Sequence, residues 1–263
     1  GPVGRLKMNI AGIIPARYDS SRFPGKPLHP ILGRPMLEHV FERARMFERW
    51  DLLSICTCDE EINDWANSKG YPVIMTSDTH TRALDRVAEA AEKCGQTVGD
   101  DDIVLNVQGD EPMMRPDMIA TTIKPMEARP EVRGTMLAMD IIDEEQYENR
   151  DILKIIHDLD GRVLYTSRRP IPYCKPGQFS RELEAKRIYG IFGFRWDFLK
   201  YFTSLEESPL EIKEACDSNR LYDNGQHQHI APYPFMPSYS VDSPSDIVKV
   251  EENMKTDSLW GAY

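Results

Sequence analysis

The stretch NIAGIIPARYDSSRFPGKPL, residues 9–28, joins a short apolar run to a loop that is rich in basic and small residues. The apolar run is typical of a buried strand that opens an α/β sheet. The loop behind it carries three cations, Arg17, Arg22 and Lys26. Gly25 and the neighbouring serines let the main chain approach a ligand closely. The stretch therefore predicts a site for a polyanion such as a triphosphate at the end of the first strand.

An ordinary solvated loop is the alternative interpretation of these cations. Their position directly after the first strand favours a binding site, because ligands of open parallel sheets gather at the carboxyl ends of strands. The loop contains neither a GxGxxG pattern nor a GK[ST] motif. Its sequence therefore disfavours both a dinucleotide-dependent dehydrogenase and a Walker-type ATPase.

Apolar runs alternate with amphipathic segments through the first half of the chain, which is typical of βαβ crossovers and a mostly parallel sheet. The patterns predict strands over residues 9–15, 52–57, 72–75, 102–107, 135–140, 154–156, 163–165, 188–195 and 229–231. They predict helices over residues 35–49, 60–69, 81–94, 209–222 and 244–254. Residues 168–186, rich in proline and charge, are expected to form an irregular excursion near a substrate or a partner subunit. The predicted fold class is a doubly wound α/β sheet of mixed, mostly parallel strands.

The composition restricts the partners that the 263-residue chain can have. Residues 1–7 read as a remnant of cloning, which leaves residues 8–263 as a single expected domain. The net charge of −11 argues against a protein that coats nucleic acid or an anionic membrane. No apolar run approaches the ~20 residues of a membrane span, so a cytoplasmic protein is expected. Its five scattered cysteines predict reduced core residues rather than a disulfide or zinc site.

A second motif predicts a metal site at the same edge of the sheet. The segment VLNVQGDEP, residues 104–112, is a buried strand that delivers Gln108 and Asp110. A carboxylate opposite bound phosphates is a preferred ligand of Mg²⁺. Asp242, in the segment VDSPSD, is a candidate second ligand, although that pattern is also typical of a turn or helix cap.

Four segments together resemble the 3-deoxy-manno-octulosonate (Kdo) cytidylyltransferases, or CMP-Kdo synthetases. They are PARYDSSRFPGKPL, QGDEP, SPLEIKEACDSNRLYDNG and VDSPSDI, and their order and spacing agree over residues 8–254. The resemblance implies a fold of the nucleotide-diphospho-sugar transferase type with a small dimerisation arm, the arm and acceptor elements lying at about residues 135–235. It also implies transfer of CMP from CTP with release of pyrophosphate, Mg²⁺ as cofactor, a homodimer and a role in lipopolysaccharide biosynthesis.

The resemblance implies site residues position by position. The implied nucleotide-binding residues are Pro15, Ala16, Arg17, Ser21, Arg22, Lys26, His80, Arg82, Asp85, Arg86 and Gln108. The implied acceptor-binding residues are Gln108, Lys154, Arg168, Arg187, Ile188, Glu214 and Asp217. The implied catalytic residues are Arg17, Lys26, Asp110 and Asp242, of which the two aspartates would ligate Mg²⁺. The expected reaction is in-line attack of an acceptor hydroxyl on the α-phosphorus, which requires placement and charge neutralisation rather than a covalent nucleophile.

Three departures from the family pattern fall around the acceptor or the nucleotide. The segment HTRALDR, residues 80–86, stands where the family usually has His-x-Ser-Gly-Thr-[Asp/Glu]-Arg, so Arg82 is an extra cation that could bind a ligand or face water. Ile188 replaces a histidine that reaches the sugar in that family, and Asp217 stands where glutamate is common. A buried hydroxyl that loses its partner costs roughly 1 to 3 kcal/mol.

These departures leave several functions open. Kdo or a relative such as an amino-Kdo is the expected acceptor, and another small acid, such as a phosphonate or a different keto-sugar, is the alternative. A non-catalytic nucleotide-binding regulatory domain is a hypothesis of a different class. An anionic acceptor needs cations in the cleft, and the second half of the chain offers Arg168, Arg169, Lys175, Arg187 and Arg195.

Overall fold

The computed structural model describes residues 9–263, so the expectation for residues 1–7 lies outside the described residues. In chain order the strands are β1 (Ile10–Pro15), β2 (Pro30–Ile31), β3 (Arg34–Pro35), β4 (Leu52–Thr57), β5 (Val73–Met75), β6 (Ile103–Val107), β7 (Gly134–Asp140), β8 (Lys154–His157), β9 (Val163–Ser167), β10 (Lys186–Arg195) and β11 (His229–Tyr233). The helices are α1 (Met36–Arg45), α2 (Glu60–Ser68), α3 (Ala83–Glu92), α4 (Pro116–Ala128), α5 (Glu144–Glu148), α6 (Trp196–Ser204), α7 (Pro209–Glu214), α8 (Asn219–Asp223) and α9 (Asp246–Met254).

The main sheet is mixed and mostly parallel along its central path, as the sequence predicted. Its strand order is β11-β7-β10-β6-β1-β4-β5, with β8 and β9 attached beside β10. The strand β1 pairs in parallel with both β4 and β6, whereas β10 is antiparallel to its neighbours. The strands β4 and β5 lie on one side of β1, and the next strand of this path along the chain, β6, lies on its other side. The strand order thus reverses between β1 and β6, and their carboxyl ends diverge into a crevice.

Helices cover both faces of the sheet, and each face has its own apolar cluster. On one face α1, α2 and α4 bury residues such as Phe41, Ile62 and Ile119 against the sheet. On the other, α3, α6 and α8 bury residues such as Val87 and Phe202. The central strand β1 is buried on both faces, which explains its unbroken apolar sequence. Among residues 9–263 the structure has no helix of the length and apolar character needed to cross a membrane.

The helix predicted over residues 209–222 is two helices, which corrects that prediction. The first, α7, has a capping box in which Ser208 and Glu211 satisfy each other's main-chain groups. It ends where Ala215 adopts a left-handed conformation with φ of 49°. The chain then turns and resumes as α8 at Asn219. Three further helices, α4, α5 and α6, were not predicted, and β10 begins two residues before its predicted start.

Candidate active site

The loops that follow β1 and β6 lie in direct contact at the crevice. A Cβ atom at Gly109 would lie 2.8 Å from the carbonyl oxygen of Pro15, so only glycine permits this approach. The main-chain N–H of Ala16 donates to Cys56 of β4 at 2.9 Å, which fixes the start of the basic loop. Gly25 has φ of 73° and donates its N–H to Tyr18, and Tyr18 in turn donates to Asp59. The basic loop is therefore folded back over the ends of the strands.

The cations of this loop face the predicted metal ligands. The Nζ of Lys26 donates to the carbonyl oxygen of Val241 at 3.0 Å and lies 3.7 Å from the carboxylate of Asp110. The guanidinium of Arg22 lies 3.3 Å from Asp151 and 3.9 Å from Asp242. Arg17 and Ser21 are exposed on the same loop. The structure thus brings Lys26 to Asp110 and Arg22 to Asp242.

Asp110 and Asp242 lie on adjoining segments that are joined by a main-chain hydrogen bond. The N–H of Val241 donates to the carbonyl oxygen of Asp110 at 3.0 Å. Burial and the charge of Asp110 raise the pKa of Asp242 to about 6. Asp242 does not cap α9, whose N-cap residue is Ser245, so the helix-cap alternative is wrong. Asp242 lies in the bend that precedes this helix, where its main-chain N–H group donates to Asp246.

The two carboxylates fit a hard cation. Within residues 9–263 no cluster of three or more histidine, cysteine or acidic side chains could hold a metal by itself. A Mg²⁺ ion held by Asp110 and Asp242 would therefore need further oxygen ligands from a bound phosphate group and from water, which is the usual arrangement for this ion. The mutual repulsion that raises the pKa of Asp242 would be relieved by a divalent ion.

A cleft of about 550 Å³ extends from these carboxylates along β10. The cleft is lined by Gln108, Glu111 and Ser240 and by residues 81–83 and 215–217. Its floor is Arg187, Ile188, Gly190 and Phe192 of β10. Lys249, Tyr239 and residues 145–153 complete the rim. The space is large enough for a sugar-sized acceptor beside a nucleotide.

Three arginines expected to bind the acceptor differ in whether their guanidinium groups can reach a ligand in the cleft. Arg187 is 7% exposed, lies over the ring of Tyr189 and donates to Ser240 at 3.4 Å. Arg168 borders the cleft, but its guanidinium donates to the main-chain carbonyls of residues 150, 214 and 215. Arg195 does not serve the cleft, because it pairs with Ile103 at the opposite end of β6. Arg187 is thus the cation best placed to meet an acidic acceptor.

Lys154 and Glu214 do not line the cleft, so the structure does not place them in contact with an acceptor. Lys154 is fully buried, and its Nζ donates to the carbonyls of Asn149, Ile152 and Arg168 at 2.6–2.9 Å. Burial lowers the pKa of Lys154 to about 8. Glu214 accepts hydrogen bonds from two side-chain hydroxyls of β9 and from the N–H of Arg168. Both residues therefore stabilise loops that line the cleft, which include Asn149, Ile152 and Arg168.

The segment of residues 80–86 is tied mainly to protein groups. His80 lies 2.7 Å from Glu89, and Arg86 donates to the carbonyl of His80. Asp85 accepts a bidentate pair of hydrogen bonds from Arg220 at 3.0 Å each. Arg82 borders the cleft, 3.6 Å from Glu211. Of this segment, Arg82 is therefore the side chain positioned for a ligand, while Asp85 serves the protein interior.

Sequence reasoning missed Glu111 and Ser240, which link the Asp110 and Asp242 segments to β10. Glu111 is 1% exposed, and burial next to Asp110 raises its pKa to about 7. It accepts hydrogen bonds from Ser240 Oγ and from the N–H of Gly190. The available signal was its place inside QGDEP, directly after a predicted ligand.

Asp217→Asn is expected to stabilise the fold at neutral pH. Burial raises the pKa of Asp217 to about 6, above its ordinary value of 3.8, so the folded state binds this proton more tightly than the unfolded state. The wild-type protein therefore loses stability as the pH rises from about 4 to about 6, and the variant does not. We expect a difference of about 1 to 2 kcal/mol at pH 7, allowing for partial solvent screening. Urea unfolding of both proteins at pH 4.5 and pH 7 measures it, and an equal difference at both pH values would contradict the assignment.

Comparison with known proteins agrees with this geometry. Residues 11–230 match the family model described as Cytidylyltransferase. A 3-deoxy-manno-octulosonate cytidylyltransferase of Nitratidesulfovibrio vulgaris (strain DP4) is 41% identical over 237 residues, which cover 90% of this chain and 92% of that protein. An 8-amino-3,8-dideoxy-manno-octulosonate cytidylyltransferase of Shewanella frigidimarina is 36% identical over 251 residues, covering 95% of this chain and all of that protein.

A solved structure shares the fold. The structure of CMP:2-keto-3-deoxy-manno-octonic acid synthetase complexed with CTP superimposes with a TM-score of 0.83 at 31% identity, covering 94% of this chain and 98% of that one. The sequence resemblance and the predicted fold type are thereby confirmed. The cleft at the reversal of the strand order and the near-complete alignment lead to one conclusion: the chain belongs to the 3-deoxy-manno-octulosonate cytidylyltransferase family.

Proposed function

We propose that this protein transfers CMP from CTP to a hydroxyl of a Kdo-type sugar acid and releases pyrophosphate. The observation that carries the proposal is the meeting of Lys26 and Arg22 with Asp110 and Asp242 at the mouth of a sugar-sized cleft. Cations that face a carboxylate pair can bind a triphosphate together with a divalent ion. Relatives that cover nine-tenths of the chain are named for this reaction.

The chain's own residues would position the reactants. The basic loop over the end of β1 would hold the triphosphate, with Lys26 and Arg22 neutralising its charge. Mg²⁺, held by Asp110 and Asp242, would supply further neutralisation at the phosphate oxygens. Arg187, on the floor of the cleft, would bind the acceptor carboxylate and orient its hydroxyl for attack in line with the departing pyrophosphate.

The acceptor that fits best is Kdo or an amino derivative of it. Support comes from the similar proteins, one named for Kdo and one for its 8-amino form. Ile188 and Phe192 line the cleft and offer no hydrogen-bonding side chain to a polyol at those two positions. A different acid, such as a phosphonate or another keto-sugar, is the alternative acceptor.

The test is pyrophosphate release from CTP and Mg²⁺ with a panel of acids that includes Kdo, 8-amino-Kdo, other keto-sugar acids and a phosphonate. Release that requires both the metal and one sugar acid supports the proposal. Release with the phosphonate alone would favour the alternative acceptor. Tight CTP binding without turnover for any acid would favour a non-catalytic regulatory domain, and UTP in place of CTP measures base selectivity.

Ile188→His is expected to raise kcat/KM for Kdo by about 5- to 100-fold, if the histidine side chain satisfies a hydroxyl that isoleucine leaves without a partner. Ile188 is 7% exposed and borders the cleft, so the imidazole would face the acceptor. Steady-state kinetics with Kdo measures the change. A folded variant with no gain would contradict the inference that Ile188 leaves a hydroxyl of Kdo without a partner.

We also propose that the enzyme works in the cytoplasm as a homodimer that uses the arm, residues 168–186. The arm packs Phe179 and Leu183 against a small cluster around Tyr147. Its Tyr173 is 80% exposed, which suits a surface that a second copy covers. Analytical ultracentrifugation of the wild type and of Tyr173→Ser tests the arrangement, and a monomeric wild type would overturn it.

A further inference from the structure

Glu111 joins three parts of the active site that come from distant regions of the sequence. It follows Asp110 directly, its Oε2 accepts the N–H of Gly190 on β10 at 2.9 Å, and its Oε1 accepts the hydroxyl of Ser240. The side chain is 1% exposed, so these bonds are shielded from water. Buried polar groups of this kind fix the geometry around them.

The bond to Gly190 falls where β10 departs from regular pairing. The register between β10 and β7 shifts between Ile188 and Phe192, which removes the main chain of Gly190 from that ladder. Gly190 instead pairs with the β6 loop, since its carbonyl accepts the N–H of Gln108 at 2.9 Å. A Cβ at this position would lie 3.0 Å from Glu111 Cγ. The irregular part of β10, between Ile188 and Phe192, is thus held against the loop that carries Asp110. Its position determines how Ile188 borders the cleft.

The bond to Ser240 fixes the other metal ligand. Ser240 is two residues before Asp242, and the intervening Val241 donates its N–H to the carbonyl of Asp110. The hydroxyl of Ser240 also accepts from Arg187 at 3.4 Å. Glu111 therefore contacts, directly or through Ser240, the segments that carry both aspartates and the acceptor arginine.

We propose that Glu111 is a positioning residue that holds the Asp110–Asp242 metal site and the acceptor floor at Arg187 as one unit. It acts through Ser240 and the main chain of Gly190 and needs no contact with substrate. The inference rests on the proposed function, because it assigns those three residues the roles given above. Groups that orient metal ligands typically affect metal affinity on the order of 10- to 100-fold.

The experiment measures metal binding apart from turnover. Mn²⁺ binding to each protein is followed by electron paramagnetic resonance in the presence of CTP and without an acceptor. Glu111→Gln and Ser240→Ala are both expected to weaken Mn²⁺ binding about tenfold and to raise the acceptor KM. Ser240→Ala is the milder change, since it leaves Glu111 bonded to Gly190, so it keeps the test available if the first variant does not fold.

Ser238→Ala is the matched control. Ser238 is 5% exposed, lies on the same segment and hydrogen-bonds Tyr189 of β10, but it makes no bond to Glu111. It is expected to lose stability without a change in Mn²⁺ affinity. Mn²⁺ affinity within about twofold of wild type in a folded Ser240→Ala variant would overturn the proposal, as would an equal loss in Ser238→Ala. If the wild type releases no pyrophosphate with any acid, the proposed function fails, whereas the Mn²⁺ result still decides the role of Glu111.

Discussion

Asp110→Asn is expected to lower the rate of pyrophosphate release by on the order of 10²- to 10³-fold, because the amide removes one of the two charges that would hold Mg²⁺ beside the triphosphate. The substitution preserves shape, and the carbonyl of residue 110 keeps its bond from Val241. Lys26, 3.7 Å from the carboxylate, loses a favourable partner as well. Steady-state assay with CTP, Mg²⁺ and the best acceptor measures the effect.

Asp117→Asn provides the comparison for this prediction. Asp117 accepts a hydrogen bond from Tyr233 on β11 and does not border the cleft. The variant is expected to retain activity within about twofold, as surface changes away from a site usually do. Activity of Asp110→Asn near that of the wild type, with circular dichroism showing an intact fold, would contradict the assignment of Asp110 as a metal ligand.

Arg220→Ala is expected to lower the free energy of unfolding by about 3 to 5 kcal/mol. The buried Glu211 would keep only its longer contact with Arg82, at 3.6 Å, and Asp85 would lose its bidentate partner. Arg220 is 3% exposed, and its guanidinium binds Glu211, which is fully buried, and Asp85. It also stacks 4.1 Å over the ring of Phe202. Urea unfolding at pH 7 measures the loss, which is a large share of the stability of an ordinary domain.

Arg162→Ala separates the effect of burial from that of losing any arginine. Arg162 forms an ion pair with Asp158, but its side chain is 53% exposed. Exposed pairs contribute up to about 1 kcal/mol, so this variant is expected to unfold close to the wild type. Similar losses in the free energy of unfolding for the two arginine variants would show that the buried ion pairs of Arg220 do not stabilise the fold more than an exposed pair does.

The part of the site nearest β1 and β6 could be predicted from the sequence. The run before Pro15 is unbroken and apolar, and the run before Gln108 is apolar except for Asn106, which is typical of strands buried on two faces. Cations and a carboxylate at the ends of such strands necessarily share one edge of a parallel sheet. For that reason Lys26 and Asp110 were correctly expected to lie together, as the 3.7 Å separation shows.

The acceptor side could not be predicted in the same way, because its contacts depend on side-chain direction. Lys154 and Glu214 have the residue types of ligand-binding groups, yet they turn inward to carbonyls and hydroxyls. Glu111 and Ser240 are 129 residues apart, and no periodicity indicates their bond. The break between α7 and α8 depends on the backbone of Ala215, a residue type that ordinarily favours helix.

The close packing of Gly109 on Pro15 determines which side of the cleft can move. A Cβ atom at Gly109 would lie only 2.8 Å from the carbonyl oxygen of Pro15. The basic loop and the Asp110 loop are therefore packed too closely to slide past each other. This half of the site is pre-organised before any nucleotide arrives. Any movement of the cleft around a bound acceptor would therefore involve other lining residues, such as Asp151, whose exposed ion pair with Arg22 a phosphate group can displace.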